Sequence, residues 1–142
     1  MNKPTDRLTS FYMAVAEETA KLSRAVRLQV GAVLVKDGRI ISYGWNGTPA
    51  GWDNCCEVEQ IDGSLKTKPE VIHAEMNAIL KVAKSHDSSY GGDLYVTHST
   101  CHECAKSVLQ AGIKRVFYKH DYRDPTGIEI LRKGGIEVIK LD

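Results

Sequence analysis

The chain has 142 residues, of which 42% are hydrophobic, and 19 basic against 18 acidic side chains give it a formal net charge of +1. This length and composition are typical of one folded domain, which we place at residues 1–142. There is no block of basic residues of the kind that binds duplex nucleic acid, and no apolar run long enough to span a membrane, so we expect neither partner.

The first predicted elements are a helix and a hairpin. Hydrophobic residues recur at three- and four-residue steps through residues 8–22, which predicts an amphipathic helix. The members of this stripe are Leu8, Phe11, Tyr12, Val15, Ala16, Thr19 and Leu22. Two β-rich runs, residues 30–35 and 39–43, then flank Asp37-Gly38, which is typical of a β-hairpin. Residues 46–70 are rich in Gly, Pro, Asn and Asp and are predicted to form one long loop.

The rest of the chain alternates between helices and strands. Predicted helices cover residues 72–83, 101–111 and 127–133, and predicted strands cover residues 93–97, 114–119 and 136–141. This order predicts an α/β fold, a three-layer α-β-α sandwich with helices on both sides of a mixed five-stranded sheet. The helix between the last two strands is a crossover long enough to make them a parallel pair.

Four residues in two short motifs have the composition of a catalytic metal centre. Cys101 and Cys104 are spaced to bind one Zn²⁺ from a single helical face, and His73 offers a third ligand. Both motifs lie near predicted helix N-termini, whose free N–H groups and partial positive charge favour thiolate. Glu75, two residues after His73, is poorly placed to ligate the same ion, so we assign it to proton transfer instead.

The residues around the second motif have structural interpretations. Thr100 and Glu103 have the spacing of a capping box, with Thr100 as N-cap, which makes Glu103 a poor catalytic candidate. His102 is expected to point away from the metal. A Cys-x-x-Cys pair alone also occurs in redox dithiols, but the His-x-Glu motif argues against that interpretation.

The two motifs together resemble the signature of zinc-dependent nucleobase deaminases. The resemblance to the deoxycytidylate (dCMP) deaminases of the cytidine deaminase superfamily extends over most of the chain. It is carried by residues 30–33, 44–51, 54–55, 73–79, 94–97, 101–106 and 111–116. It implies a cytidine deaminase-like fold and the hydrolysis of dCMP to dUMP and ammonia, which feeds thymidylate synthesis.

The resemblance also implies roles for individual residues. Zn²⁺ would be held by His73, Cys101 and Cys104, with Glu75 as the catalytic residue. The implied substrate contacts are Asn46, Ala74, Thr97, Tyr122 and Arg27. Asn46 has an alternative as a turn residue of its Asn-Gly pair, and Tyr122 could equally be an ordinary loop aromatic. Arg24, Arg27 and Arg123 are candidates for binding the phosphate, although each could be a solvated surface charge.

Members of this family are often hexamers that dCTP activates and dTTP inhibits. The resemblance therefore implies a homo-oligomer, with a hexamer favoured, and dCTP and dTTP as effectors. The regulatory candidates are Asn46, Gly47 and Gly51, and Mg²⁺ would accompany a bound triphosphate. The chain departs from the family pattern at Thr100, where the family has Pro. Because Ala25 stands near the place where some relatives carry a further Cys ligand, we expect one zinc ion.

Other functions remain open at this point. A deaminase acting on dCTP or on tRNA adenosine would use the same metal chemistry, as would a riboflavin-pathway or free-base deaminase. The near-neutral charge and residues 46–51 count against tRNA. A zinc-stabilised nucleotide-binding module is the non-enzyme alternative. Two of the four cysteines form the metal-type pair, and Cys55 and Cys56 are adjacent, so we expect a reducing cytoplasm rather than a disulfide framework.

Overall fold

The computed structural model describes residues 3–142 as four helices and seven strands. The helices are α1 (Asp6–Ala20), α2 (Ala74–Ala83), α3 (His102–Gln110) and α4 (Thr126–Lys133). The strands are β1 (Gly31–Lys36), β2 (Arg39–Trp45), β3 (Glu57–Glu59), β4 (Leu65–Thr67), β5 (Asp93–His98), β6 (Arg115–His120) and β7 (Glu137–Lys140). Among these described helices, none has the length and hydropathy required to cross a membrane.

Five strands form one mixed sheet in the order β2-β1-β5-β6-β7. β1 runs antiparallel to both β2 and β5, whereas β5, β6 and β7 are mutually parallel. The two parallel connections contain α3 and α4, as their crossovers require. The predicted mixed five-stranded sheet and the parallel pairing of its last two strands are therefore confirmed.

Helices cover both faces of the sheet, which confirms the predicted three-layer α/β sandwich. α1 packs on one face over Val33, Val35, Tyr95 and Phe117, and the rings of Tyr95 and Phe117 stack with centroids 4.4 Å apart. The other three helices contribute to the core on the opposite face, together with the alternate residues of β1 and β5. Because successive strand side chains point to opposite faces, this alternation decides which residues can reach a site beside α2 and α3.

The predicted stripe of α1 is only partly correct. Tyr12 and Ala16 are buried, but Phe11 is 55% exposed and Leu8 also faces solvent. The buried stripe instead includes Thr9 and Met13, so it is rotated from the predicted one. Leu22 lies beyond the end of the helix and is exposed. The buried face combines Tyr12 and Met13 with threonines and alanines, and a pattern that counts large hydrophobic residues does not mark the small and polar members of that face.

The hairpin prediction is confirmed, whereas the prediction of an uninterrupted loop is wrong. At the β1–β2 turn, Asp37 and Gly38 have φ values of +52° and +75°, as a two-residue type I′ turn requires. Within residues 46–70, β3 and β4 pair as a separate two-stranded sheet. Each of these strands has only three residues, too few to give a recognisable alternation.

The topology brings four chain segments to one edge of the large sheet. The carboxyl ends of β5 and β6 lie there, because these strands are parallel. The start of β1 and the end of β2 lie at the same edge, because β1 is antiparallel to both of its neighbours. Ligands of open α/β sheets commonly bind beyond the carboxyl ends of parallel strands, so this edge is where a site is expected.

Candidate active site

Close backbone packing positions the first turn of α2 at this edge. His73 is the N-cap, with φ −69° and ψ 157°, so α2 begins directly after the first predicted ligand. A Cβ on Gly44 would lie 2.6 Å from the carbonyl oxygen of Ala74, so only glycine lets α2 approach β2 so closely. The Asn77 side-chain amide donates a 2.7 Å hydrogen bond to the carbonyl of Trp45 at the end of β2.

The first turn of α3 is fixed in a similar way. Cys101 is the N-cap, with φ −72° and ψ 167°, and Cys104 lies within the first turn. A Cβ on Gly127 would lie 1.8 Å from the carbonyl oxygen of Thr100, so the start of α4 packs directly on the segment that leads into α3. Glycine is thus required where this helix supports the cysteine segment.

The predicted capping box at this helix is wrong. Cys101, and not Thr100, is the N-cap, and its side chain makes no capping hydrogen bond. Thr100 lies one residue earlier and is buried. Glu103 contacts Lys106 at 3.3 Å and His102 at 3.2 Å. Helix α3 therefore starts one residue later than predicted, and the Cys101 sulfur turns toward His73 instead of capping the helix.

His73, Cys101 and Cys104 converge on one point. The Nδ1 atom of His73 lies 3.4 Å from the Cys101 Sγ and 3.2 Å from the Cys104 Sγ. The three donor atoms all lie within 4.8 Å of one another. In the described part of the chain, residues 3–142, this is the group of side chains that could hold a metal ion. Tetrahedral Zn²⁺ with bond lengths of about 2.3 Å to sulfur and about 2.1 Å to nitrogen separates such donors by roughly 3.6 Å. The donor set therefore fits zinc.

The three groups also influence one another electrostatically. The pKa of the Cys101 thiol is lowered to about 3, because the Cys104 thiol and His73 both form hydrogen bonds with its sulfur. The pKa of the Cys104 thiol is raised, because it donates to Cys101 and is buried. The pKa of His73 is raised, chiefly by its hydrogen bond with Cys101. One thiolate is thus already stabilised by the fold, which favours binding of a cation.

Glu75 lines the same cavity as two of the three donors but is a different kind of group. Its side chain is 4% exposed and lines the cavity that His73 and Cys101 also line. Burial raises the pKa of this carboxyl, with smaller opposing effects from backbone hydrogen bonding and from His73. A buried carboxyl of this kind can accept a proton from one group and release it to another.

A cavity of about 400 Å³ opens at this centre. It is lined by four of the five predicted substrate contacts, namely Arg27, Asn46, Ala74 and Tyr122, together with Glu75, His98 and Arg123. This volume is in the range of small-molecule sites. The residues that surround it come from the segment before β1, the β3–β4 hairpin, the sheet edge, the start of α2 and residues 121–123.

Thr97 alone among the predicted substrate contacts falls outside this lining in the described part of the chain. Its hydroxyl accepts a 3.2 Å hydrogen bond from the Gly31 N–H and lies 2.9 Å from the Nδ1 of His98. Successive side chains along β5 point to opposite faces of the sheet. Thr97 therefore lies on the same face as Tyr95, which packs against α1. The side chain therefore joins β5 to β1, while the neighbouring His98 lines the cavity.

Asn46 and Tyr122 line the cavity and also make local hydrogen bonds. The Asn46 amide donates to the Leu28 carbonyl at 2.8 Å and accepts from the Val30 N–H at 2.8 Å, so it holds the segment before β1. The Tyr122 N–H donates to the Ser99 hydroxyl at 2.6 Å, which fixes the loop after β6 against the end of β5. Asn46 thus combines a position in the cavity with a structural role, which is to hold the segment before β1 rather than to form an Asn-Gly turn.

The three candidate phosphate arginines are placed differently. Arg27 and Arg123 line the cavity, and Arg24 does not. The Arg27 guanidinium donates to the hydroxyl of Thr67 at 3.2 Å, and within residues 3–142 it has no carboxylate partner. Among the described residues, the guanidinium is therefore not engaged in an ion pair.

Gly47 and Gly51, the other regulatory candidates, lie outside the cavity lining of the described chain. Gly47 pairs with Ile72 in an isolated antiparallel bridge. Gly51 has a φ of +86°, a backbone conformation that L side chains rarely adopt. Together they fix the course of the segment between β2 and β3.

Sequence reasoning missed one buried acid in the cavity lining. Glu57 is 8% exposed and accepts hydrogen bonds from two backbone N–H groups, those of Val26 and Arg27. Its position within the predicted loop hid it. No periodic signal in the sequence marks it, because β3 has only three residues.

Comparison with known proteins agrees with this geometry. Residues 6–120 match the family model described as the cytidine and deoxycytidylate deaminase zinc-binding region. ComE operon protein 2 of Bacillus subtilis is 39% identical over 136 residues, covering 93% of this chain and 70% of that protein. The deoxycytidylate deaminase of Enterobacteria phage T4 is 34% identical over 171 residues, covering 93% and 89%. The crystal structure of dCMP deaminase from cyanophage S-TIM5, in complex with dCMP and dUMP, is 46% identical with a TM-score of 0.92, covering 98% and 100%.

The donor geometry predicts which cysteines control zinc content. We expect Cys104→Ser to reduce bound zinc from about one ion per chain to a small fraction of that, because a hydroxyl is a much weaker zinc ligand than a thiolate. Cys55→Ser is the matched control, since Cys55 is an exposed free thiol outside the cluster. Metal analysis of the two purified variants checks this. Equal zinc loss in both, or undiminished zinc in Cys104→Ser, would contradict the assignment.

Proposed function

This chain belongs to the family of cytidine and deoxycytidylate deaminases with a zinc-binding region, and we propose that it hydrolyses dCMP to dUMP and ammonia. The observation that carries the proposal is the arrangement around one cavity. Two of the three zinc-type donors, His73 and Cys101, line this cavity together with a buried carboxyl with a raised pKa and an arginine without a carboxylate partner. Hydrolysis of a pyrimidine nucleotide requires groups that act on the base and a group that binds the anionic phosphate. Residues suited to both tasks line this cavity.

His73, Cys101 and Cys104 are the residues that would hold the zinc ion. Zn²⁺ in such a site lowers the pKa of water from about 15.7 to about 7, which supplies hydroxide at neutral pH. The protein provides the three donors and the cavity beside them. The close backbone contacts at Gly44 and Gly127 hold the two helix starts in position.

Glu75 is proposed to carry the protons of the reaction. Its carboxylate accepts a proton from water and delivers it to N3 of the cytosine ring as the water oxygen forms a bond with C4. The second water proton then goes to the exocyclic amine, the C4–N bond breaks, and ammonia leaves. One buried carboxyl can serve in both directions because the steps are sequential, and its raised pKa suits alternate uptake and release.

The remaining lining residues are proposed to bind the rest of the nucleotide. Arg27, with Arg123 on another segment of the lining, is suited to the phosphate, because guanidinium groups form charge-assisted hydrogen bonds with phosphate oxygens. Ala74 offers backbone atoms to the base, Tyr122 an aromatic face, and Asn46 an amide. Thr97 stays a prediction without a place in the cavity lining.

Two rival substrates use the same chemistry. A dCTP deaminase would need room and charge for two further phosphates, and Arg27 and Arg123 are the cavity arginines that could meet them. A tRNA adenosine deaminase would need an extended basic surface, and the net charge of +1 does not favour one. We therefore retain dCMP as the proposed substrate and make the others outcomes of the test.

Regulation and assembly follow as parts of the same proposal. We infer a homo-oligomer, with a hexamer favoured, and dCTP as activator and dTTP as inhibitor, each with Mg²⁺. The supporting observation is the segment of Asn46, Gly47 and Gly51. Asn46 lines the cavity, and Gly47 is joined by a backbone bridge to Ile72, directly before the ligand His73. Binding of an effector to that segment would therefore be transmitted through the Gly47–Ile72 bridge to the zinc ligand His73.

Ammonia release by the zinc-loaded protein tests the substrate. We expect kcat/KM for dCMP to exceed that for deoxycytidine by roughly 100-fold, because the nucleoside lacks the charge-assisted phosphate contacts. CMP, dCTP and an adenosine-containing tRNA stem-loop complete the panel. Turnover confined to dCTP or to tRNA would contradict the proposed substrate.

For the proposed regulation, we expect the plot of rate against dCMP concentration to be sigmoidal and to become hyperbolic when dCTP is added.

A Glu75→Gln substitution separates the proposed catalysis from metal binding. We expect kcat to fall at least about 100-fold, because the amide cannot carry protons, while zinc content stays at the wild-type level. Glu103→Gln is the matched control, since Glu103 is exposed and contacts Lys106. Measurement of turnover and zinc on the same preparations checks both. Wild-type turnover in Glu75→Gln would exclude Glu75 from the mechanism.

A further inference from the structure

We propose that Glu57 is a positioning residue that holds Arg27 in the cavity, acting through the backbone of the segment before β1. The inference rests on the proposed function, since it assigns Arg27 to the substrate phosphate. Nothing in the residues of the zinc motifs points to Glu57. The argument comes from its burial, its hydrogen bonds and its partner on the neighbouring strand.

A buried carboxylate normally needs strong partners, and Glu57 obtains them from backbone. One of its oxygens, Oε2, accepts a 2.9 Å hydrogen bond from the Val26 N–H and a 3.0 Å hydrogen bond from the Arg27 N–H. The Glu57 side chain is 8% exposed and lines the cavity. Hydrogen bonds to a charged acceptor are stronger than those between neutral groups, so this contact fixes two successive residues of an otherwise irregular segment.

The same hairpin also holds the Arg27 side chain. Glu57 on β3 and Thr67 on β4 are direct cross-strand partners. Thr67 accepts the 3.2 Å hydrogen bond from the Arg27 guanidinium, while Glu57 accepts the bond from the Arg27 backbone. The two residues thus hold Arg27 at both ends. We call this pair, Glu57 and Thr67, the Arg27 clasp.

The chemistry of the clasp leaves the Arg27 charge available. The carboxylate bonds the backbone N–H groups, and the guanidinium meets a neutral hydroxyl, so within residues 3–142 no ion pair neutralises Arg27. A salt bridge to the guanidinium would instead compete with a phosphate. The clasp therefore orients the arginine without satisfying its charge, which is what a preorganised anion-binding group requires.

A double-mutant cycle tests whether Glu57 acts through Arg27. We expect Glu57→Ala to lower kcat/KM for dCMP about tenfold, mainly through KM, because Arg27 loses its fixed position. Turnover of deoxycytidine, which has no phosphate, should change far less. In an Arg27→Ala background, Glu57→Ala should have little further effect on dCMP, since coupled residues are not additive.

Matched variants show whether a change in kcat/KM comes from loss of the Arg27 clasp. Glu59→Ala removes the same charge from an exposed position two residues along β3 and should leave kcat/KM unchanged. If Glu57→Ala does not fold, Glu57→Gln and Thr67→Val weaken each half of the clasp with little change in shape. Equal losses for dCMP and deoxycytidine, additive effects with Arg27→Ala, or no effect in any clasp variant would overturn the proposal.

Amide hydrogen exchange gives a readout that does not depend on activity. The Val26 and Arg27 amides should exchange faster in Glu57→Ala than in wild type or Glu59→Ala, because they lose their acceptor. If the wild type does not turn over dCMP, the proposed function fails, while the exchange result still decides whether Glu57 fixes the segment. Unchanged exchange in Glu57→Ala would overturn the clasp even where dCMP turnover is robust.

Discussion

The structure depends on the convergence of two helix N-termini at one edge of the sheet. α2 begins directly after His73 and α3 directly after Cys101, and the donor atoms of His73, Cys101 and Cys104 meet within 4.8 Å. Neither helix could bring its ligands there alone. The parallel pairing of β5 and β6 and the antiparallel position of β1 create the edge, and glycine contacts bring the helices close enough to use it.

Charged groups of both signs line the cavity at this edge. The Cys101 sulfur, whose thiolate form the fold stabilises, and the Glu75 carboxyl lie beside the candidate cation site. Arg27, Arg123 and Glu57 also line the cavity. The Glu57 carboxylate accepts hydrogen bonds from backbone N–H groups, and within the described residues the Arg27 guanidinium has no ion pair. A chain with a net charge of only +1 can therefore still present a local cationic group to an anion.

Much of the fold and the metal centre could be predicted from the sequence, because both depend on short-range patterns. The Asp37-Gly38 turn, the β-rich runs and the ligand spacing each depend on a few neighbouring residues. Contacts that depend on the third dimension could not be predicted in this way. Which face of β5 carries Thr97, and which residue before α3 becomes the N-cap, are decided by packing against α1 and by the turn of Cys101 toward His73.

The residues around the cavity were predicted less completely than the metal ligands. The β3–β4 hairpin is too short to show a period, so Glu57 and Thr67 were hidden within an apparent loop. Their hydrogen bonds to residues 26 and 27 form only because that segment folds back against the hairpin. A site built from several distant segments is therefore recognised from its motif residues first, and its supporting residues become visible only in the structure.

X-ray absorption at the zinc edge tests the central claim most directly. The claim is that the fold provides three ligands, two sulfur atoms and one nitrogen, and leaves the fourth position for water. The account predicts two sulfur neighbours at about 2.3 Å and two nitrogen or oxygen neighbours at about 2.0 Å in the zinc-loaded protein. Three or four sulfur neighbours would mean that Cys55 or Cys56 closes the site, which would contradict a hydrolytic centre.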